Sequence, residues 1–198
     1  MATYGDSVKV VLSENTRWGY VNVWEPKSLN GERPKYSVSL IIKKGSPDME
    51  TIGNAIKEVY RNSSYVLTEA DGTVPPLNTL KLPVRDGDVE RKNDPIYAGC
   101  YFINAYSVYA PGIVDVDLNG ITDRSQVYSG CYGRASISFY AFNTGENSGI
   151  ACTLHNLQKV KDGERLGGSN NASDDFKSFS PAKSDFETTT TEEDQLPF

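Results

Sequence analysis

The sequence holds one histidine, His155, and three widely spaced cysteines, Cys100, Cys131 and Cys152, in 198 residues. A lone histidine with no serine or cysteine nucleophile motif around it does not make a hydrolase. No Cys-x-x-Cys pair offers metal ligands, and an odd cysteine count builds no disulfide framework. All three cysteines sit in apolar or small-residue runs, so they are expected as buried, reduced thiols. There is no phosphate-cradling glycine loop of either the Walker or the dinucleotide type. No apolar run approaches the ~18–20 residues that cross a bilayer. The start, Met1-Ala2-Thr3-Tyr4-Gly5-Asp6, has no basic segment leading into an apolar one, so no secretory signal is read there and the chain is expected to be soluble and intracellular. These absences point away from an enzyme and call for no cofactor, no metal and no membrane.

One stretch imitates a metal site. Asp115-Val116-Asp117-Leu118-Asn119-Gly120 copies the start of an EF-hand calcium loop, which needs a bidentate glutamate six residues after its glycine. That position is Gln126, a neutral amide. The stretch is read as a polar turn between strands, signalled by Asn-Gly.

The charge is unevenly spread. The formal net charge is −6, yet residues 1–163 carry 17 Lys+Arg against 18 Asp+Glu, while residues 164–198 carry 3 against 8. A nearly neutral body is free to hold a local basic groove, and the acidity belongs to the tail.

The body patterns as β-structure. Val8–Leu12 is a short apolar run, and Trp18–Trp24 alternates, with Trp18, Tyr20, Asn22 and Trp24 on one side. Tyr36–Leu40 alternates again and continues into Ile41 and Ile42. Gly99–Tyr109 and Cys131–Phe142 are two long strands. In the second, Cys131, Gly133, Ala135, Ile137, Phe139 and Ala141 form a small, apolar face, and Tyr132, Arg134, Ser136, Ser138, Tyr140 and Phe142 an aromatic, polar one. Shorter strands are expected at 149–154 and 157–160, and a long irregular connection at 71–95. One helix is signalled at about 47–62: Ser46 as N-cap, Pro47 opening the first turn, Asp48 at the positive end of the dipole. Met49, Ile52, Ile56, Val59 and Tyr60 give it one apolar stripe. Five or six strands with one central helix predict a mainly β, OB-fold-like barrel over residues 1–166. Residues 167–198, with Gly-Gly-Ser-Asn-Asn, four threonines and scattered acids, read as a disordered tail.

Unpaired nucleic-acid strands ask for cations along the phosphates and flat rings against the bases. The sequence has 12 tyrosines and 2 tryptophans, and several adjoin cations. The Tyr132/Arg134/Tyr140 face is the first candidate platform. Arg17-Trp18, Tyr20 and Lys35-Tyr36 come next, with Lys43-Lys44 and Arg91-Lys92 flanking. Each ring has an alternative use in core or cross-strand packing.

The chain ends Glu192-Glu193-Asp194-Gln195-Leu196-Pro197-Phe198, with five acids and no base after Ser184. Phe198 could fill a pocket, Pro197 stiffen the approach to it, and the α-carboxylate meet a cation on a partner. Glu192, Glu193 and Asp194 would speed encounter, and Leu196 adds to the grip. A solubilising tail is the plainer alternative.

This tip resembles the C-terminus of bacterial single-stranded DNA-binding proteins, where acids precede a final apolar-Pro-Phe. The body resembles a family of phage OB-fold single-stranded DNA-binding proteins. The resembling stretches are Trp18 to Ile42, Pro83–Asp88, Tyr97–Ala105, Pro111–Asp115, Val127–Gly133 and Gly149-Ile150, spanning roughly residues 8–165. The resemblance implies a DNA-coating module of phage replication or recombination, with single-stranded DNA and replication proteins as partners, in the cytoplasm of the infected bacterium and with homo-oligomers possible. The competing class is an acidic interaction or inhibitor module that targets a host nuclease or polymerase and ignores oligonucleotides.

Overall fold

The computed structural model describes residues 2–28 and 31–167. The expected disorder beyond Gly167, and the tip residues Glu192, Glu193, Asp194, Leu196, Pro197 and Phe198, lie outside the described residues.

Eight strands and three short or medium α-helices make up the described part. They run β1 (Thr3–Val11), β2 (Arg17–Lys27), β3 (Lys35–Lys43), α1 (Asp48–Asn62), α2 (Ser64–Leu67), β4 (Val84–Asp86), α3 (Gly87–Glu90), β5 (Cys100–Ser107), β6 (Gly112–Val114), β7 (Tyr132–Asn143) and β8 (Ser148–Lys161). The ladder order is β1-β7-β2-β3-β5-β8-β6, with β4 added to β5. Because β7 also pairs with β8 along nearly its whole length, the ring β7-β2-β3-β5-β8 closes into a five-stranded barrel. Closure removes the unpaired edges of those strands.

The barrel and its helix agree with the predicted class, and the differences are local. β4 and β6 have three residues each, too few for a periodic signal. The two strands expected at 149–154 and 157–160 are one, β8, with a bulge where Asn156 and Leu154 face Ser136 and Ile137. The bulge shifts the alternation by one residue, which in sequence looks like a break. The connection at 71–95 contains β4 and α3, and an Asp86 side chain caps α3 by accepting from the Asp88 amide.

α1 begins one residue later than a Ser46 cap implies, although Ser46 Oγ still accepts the Asp48 N–H at 3.3 Å. Asp48 is itself buried, and its carboxylate accepts from the Ser13 amide at 3.0 Å and the Ser13 hydroxyl at 2.6 Å. This satisfies a carboxylate that would otherwise be costly to bury. It also ties the helix start to the β1–β2 turn. Ile52, Ala55, Ile56 and Val59 of α1 join the core with Trp18, Leu40, Ile103, Ile137 and Phe139. A side chain at Gly133 would overlap both the Gln158 carbonyl and the Trp18 ring, so glycine there lets β7 close over that ring. Cys100, Cys131 and Cys152 are buried free thiols.

β3 is covered on both faces, which accounts for its unbroken apolar end. Leu40 and Ile42 point into the barrel, while Ile41 lies outside under Tyr97 and beside Phe102. The outer cover is the segment from α3 to Tyr97.

Candidate nucleic-acid interface

The strand registers align one row of side chains across most of the barrel, partly or fully exposed except at Ser138, which is buried. Asn22 pairs with Ser37, Ser37 with Tyr106, Tyr106 with Thr153, Thr153 with Ser138, and Ser138 with Lys9. Every member but Tyr106 and Lys9 is small and polar. The Tyr106 ring, 37% exposed, therefore stands among short neighbours that leave room above it. Below this row the sheet is closed off by Tyr97, whose hydroxyl donates to Ser39 Oγ at 3.3 Å.

Two clefts meet on the row, sharing Lys35 and Tyr106. The larger, about 580 Å³, is lined by Lys35, Arg85, Asn104, Tyr106, Tyr109 and Tyr140 among others, and no carboxylate among the described residues lines it. The second, about 380 Å³, adds Asn22, Lys27, Arg33 and Ser37, with Glu32 as its one acid. Glu32 is paired to Lys35 at 3.5 Å. Arg85 is paired to Glu90 and lies over the Phe102 ring, 5.2 Å from its centre. Tyr109 is 80% exposed. Tyr140 packs against Tyr4 with ring centres 5.9 Å apart, and burial pushes its phenol pKa up, so it stays protonated as a donor. The groove thus combines rings, amides and hydroxyls with four cations.

The residues singled out from sequence divide into groups. Lys35 and Tyr140 line the groove. Tyr20 is exposed and lines a separate small cleft with Asp94 and Tyr97, with the Arg91 guanidinium 5.4 Å from its ring and 5.4 Å from that of Tyr97. Lys92 is exposed beside Arg91. Trp18 corrects the sequence reading: it is fully buried in the core and has no face to offer a base. The expected alternation of Trp18 with Tyr20 fails because Tyr20 adopts φ +45° and the register slips between Gly19 and Asn22. The strand turns over there, so Trp18 points in and Tyr20 out. Tyr36 is half-buried on the inward side of β3, with Val38 and Leu40.

Lys44 is likewise not free to track a phosphate. Its ammonium holds Asp88 and Asp86 at 2.7 Å each. The hydrogen bonds it donates to Asp86 and Asp88 raise its pKa, and the Lys44 ammonium and the Gly99 N–H hold the Asp88 carboxyl below its ordinary range. It fastens the base of the α3 segment. Arg134 is exposed and donates to Gln158 at 3.3 Å. Tyr132 and Tyr140 do not form one platform: they are eight residues apart on β7, about 26 Å at ~3.3 Å per residue. Tyr132 instead groups with Arg17 and Lys43 at the other end of the barrel.

Sequence reading missed Tyr106, Tyr109, Arg85, Asn104, Lys27 and Arg33. The Asn104-x-Tyr106 spacing in β5 was the available signal, since it places both on one strand face. What it could not show is that Ser37 and Thr153 would flank them.

A small closed barrel with a basic, ring-lined groove across its outer strands defines an OB-like nucleic-acid-binding class. The comparisons carry this to a family. Residues 8–194 match the model described as Enterobacter phage Enc34, ssDNA-binding protein, and the chain belongs to that family. A curated relative, putative protein p50 of Acyrthosiphon pisum secondary endosymbiont phage 1, is 26% identical over 187 residues, covering 89% of this chain and 96% of that one. Among solved structures, the single-stranded DNA-binding protein of bacteriophage Enc34 in complex with ssDNA aligns with a TM-score of 0.63 at 22% identity, covering 80% of this chain and 89% of that one. The bacteriophage T7 single-stranded DNA-binding protein gp2.5 aligns with a TM-score of 0.54 at 15% identity, over 86% of this chain and 94% of that one.

Proposed function

We propose that this chain binds single-stranded DNA with little sequence preference, through the groove centred on Tyr106, during phage DNA replication or recombination. The observation that carries the reading is the Tyr106 row: a ring among small polar neighbours, with Lys35 and Arg85 beside it and no carboxylate of the described residues in the larger cleft. Bases would stack on Tyr106 and Tyr109, and phosphates would follow Lys27, Arg33, Lys35 and Arg85. Sequence tolerance follows, because every base has a stacking face. The family's name and the Enc34 complex with ssDNA support the same ligand.

The chain would act in the cytoplasm of the infected host and catalyse nothing. Glu192, Glu193 and Asp194 would draw in replication proteins, and Leu196-Pro197-Phe198 would seat in a pocket on each. Removing Leu196–Phe198 should then abolish capture of replication proteins and leave oligonucleotide affinity intact; unchanged capture would refute the docking role. For the groove, fluorescence anisotropy with labelled oligo-dT should show binding that Tyr106→Ala weakens by about 1–3 kcal/mol, the worth of one stacked base. No effect of that substitution would remove Tyr106 from the site.

A further inference from the structure

A third cleft, of about 430 Å³, opens at the foot of the barrel and is lined by Asn15, Lys43, Lys44, Ser46, Tyr132 and Lys161 among others. The Tyr132 ring is half-exposed and bracketed by cations, with the Lys161 ammonium 4.8 Å from its centre and the Arg17 guanidinium 5.5 Å away. Lys43 and Lys161 are exposed and have no carboxylate partner among the described residues, unlike Lys44. The one acid in the lining, Asp48, spends both oxygens on Ser13. The cleft therefore presents two unneutralised ammonium groups around a ring, which is the chemistry of a nucleotide within a single strand.

Its position relates it to the groove. Tyr132 and Tyr140 lie at opposite ends of β7 on the same outward side, about 26 Å apart at ~3.3 Å per residue. The lane between them runs over Arg134, Ser136 and Ser138, with Lys9 beside Ser138 on β1 and His155 Nε2 2.7 Å from Ser138 Oγ. Along that lane Arg134 and Lys9 are exposed cations, while the Ser136 and Ser138 hydroxyls are buried beneath the surface.

We propose that the Tyr132 cleft is a second station for the strand that fills the Tyr106 groove, so that a long single strand passes along β7 and ends between Lys43 and Lys161. The inference rests on the groove reading and adds a length dependence to it. A short oligonucleotide fills the groove alone, and only a longer one reaches the foot.

The test uses the full chain with labelled dT of about 4 and about 25 nucleotides, at and beyond the limits of the ~4–16 nucleotides that one such barrel occupies. The variant Lys43→Glu/Lys161→Glu should bind the 4-mer as the unaltered protein does. On the 25-mer it should bind at least ~10-fold more weakly and lose ~1.4 from the slope of log affinity against log salt, since each phosphate contact on a single strand contributes ~0.7. Tyr132→Leu should weaken the 25-mer alone. Lys57→Glu/Arg61→Glu, on the exposed side of α1, makes the same charge change elsewhere and should spare both lengths. Equal losses on both lengths, or none on either, would overturn the second station. If Tyr106→Ala/Arg85→Glu abolishes binding of both lengths while the foot variant spares both, this inference fails and the groove reading stands. If the unaltered protein binds neither length, both fail together.

Discussion

At the scale of single residues, Trp18 and Tyr20 show what a short sequence window reaches and what it does not. Both were legible as ring-bearing strand positions beside cations. Only the positive φ at Tyr20 decides which one meets solvent, and that bend depends on the pairing of β2 with β3. Trp18→Ala should therefore act on stability, costing about 3–5 kcal/mol as large aromatic truncations in cores do. Chemical denaturation measures this; a loss of DNA affinity with unchanged stability would contradict it. His155 gives a second residue-scale expectation. Burial, and then the nearby Lys9 charge, hold its pKa below the ordinary 6.5. The unfolded chain then takes up the proton first, so this contribution to stability is complete above pH 6.5 and declines as pH falls below it. Thermal melting at pH 7 and pH 5.5 should show a drop that His155→Gln reduces. An equal drop in both proteins would mean that other groups carry it.

At the scale of elements, periodicity found the long pieces. α1, β3, β5 and β7 each carry enough residues for a pattern to repeat, and the two faces of β7 were legible in full, because its small apolar residues all turn inward. β4 and β6 were too short to be seen, and the β8 bulge disguised one strand as two. The groove was legible only in part for a related reason. It is a row across six strands, and a row depends on registers that no single strand encodes. Lys43 and Lys44 make the same point by contrast. They are neighbours in sequence, yet β3 ends at Lys43 and leaves it exposed, while Lys44 turns back to Asp86 and Asp88. Neutralising Lys43 should therefore weaken binding to long oligo-dT more than neutralising Lys44. Lys44→Met should instead loosen the α3 segment, read as faster amide exchange at Arg91 and Gly99. The reverse ranking in affinity would contradict the assigned roles.

At the scale of the whole molecule, the net charge of −6 conceals a body with 17 cations against 18 acids. Such a body binds a polyanion only if its cations are gathered, and the two clefts of the groove gather four of them, of which Lys35 and Arg85 are paired to Glu32 and Glu90 and Lys27 and Arg33 have no carboxylate partner among the described residues. The acids of residues 185–198 add repulsion toward phosphate, so deleting those residues should tighten binding to oligo-dT. Unchanged or weaker affinity would sink that expectation.

The most direct measurement is a fluorescence anisotropy titration of the full chain with labelled oligo-dT at two salt concentrations. We expect firm binding at ~50 mM salt that weakens steeply by ~200 mM as phosphate contacts are lost. An absence of binding at the lower salt would contradict the central claim.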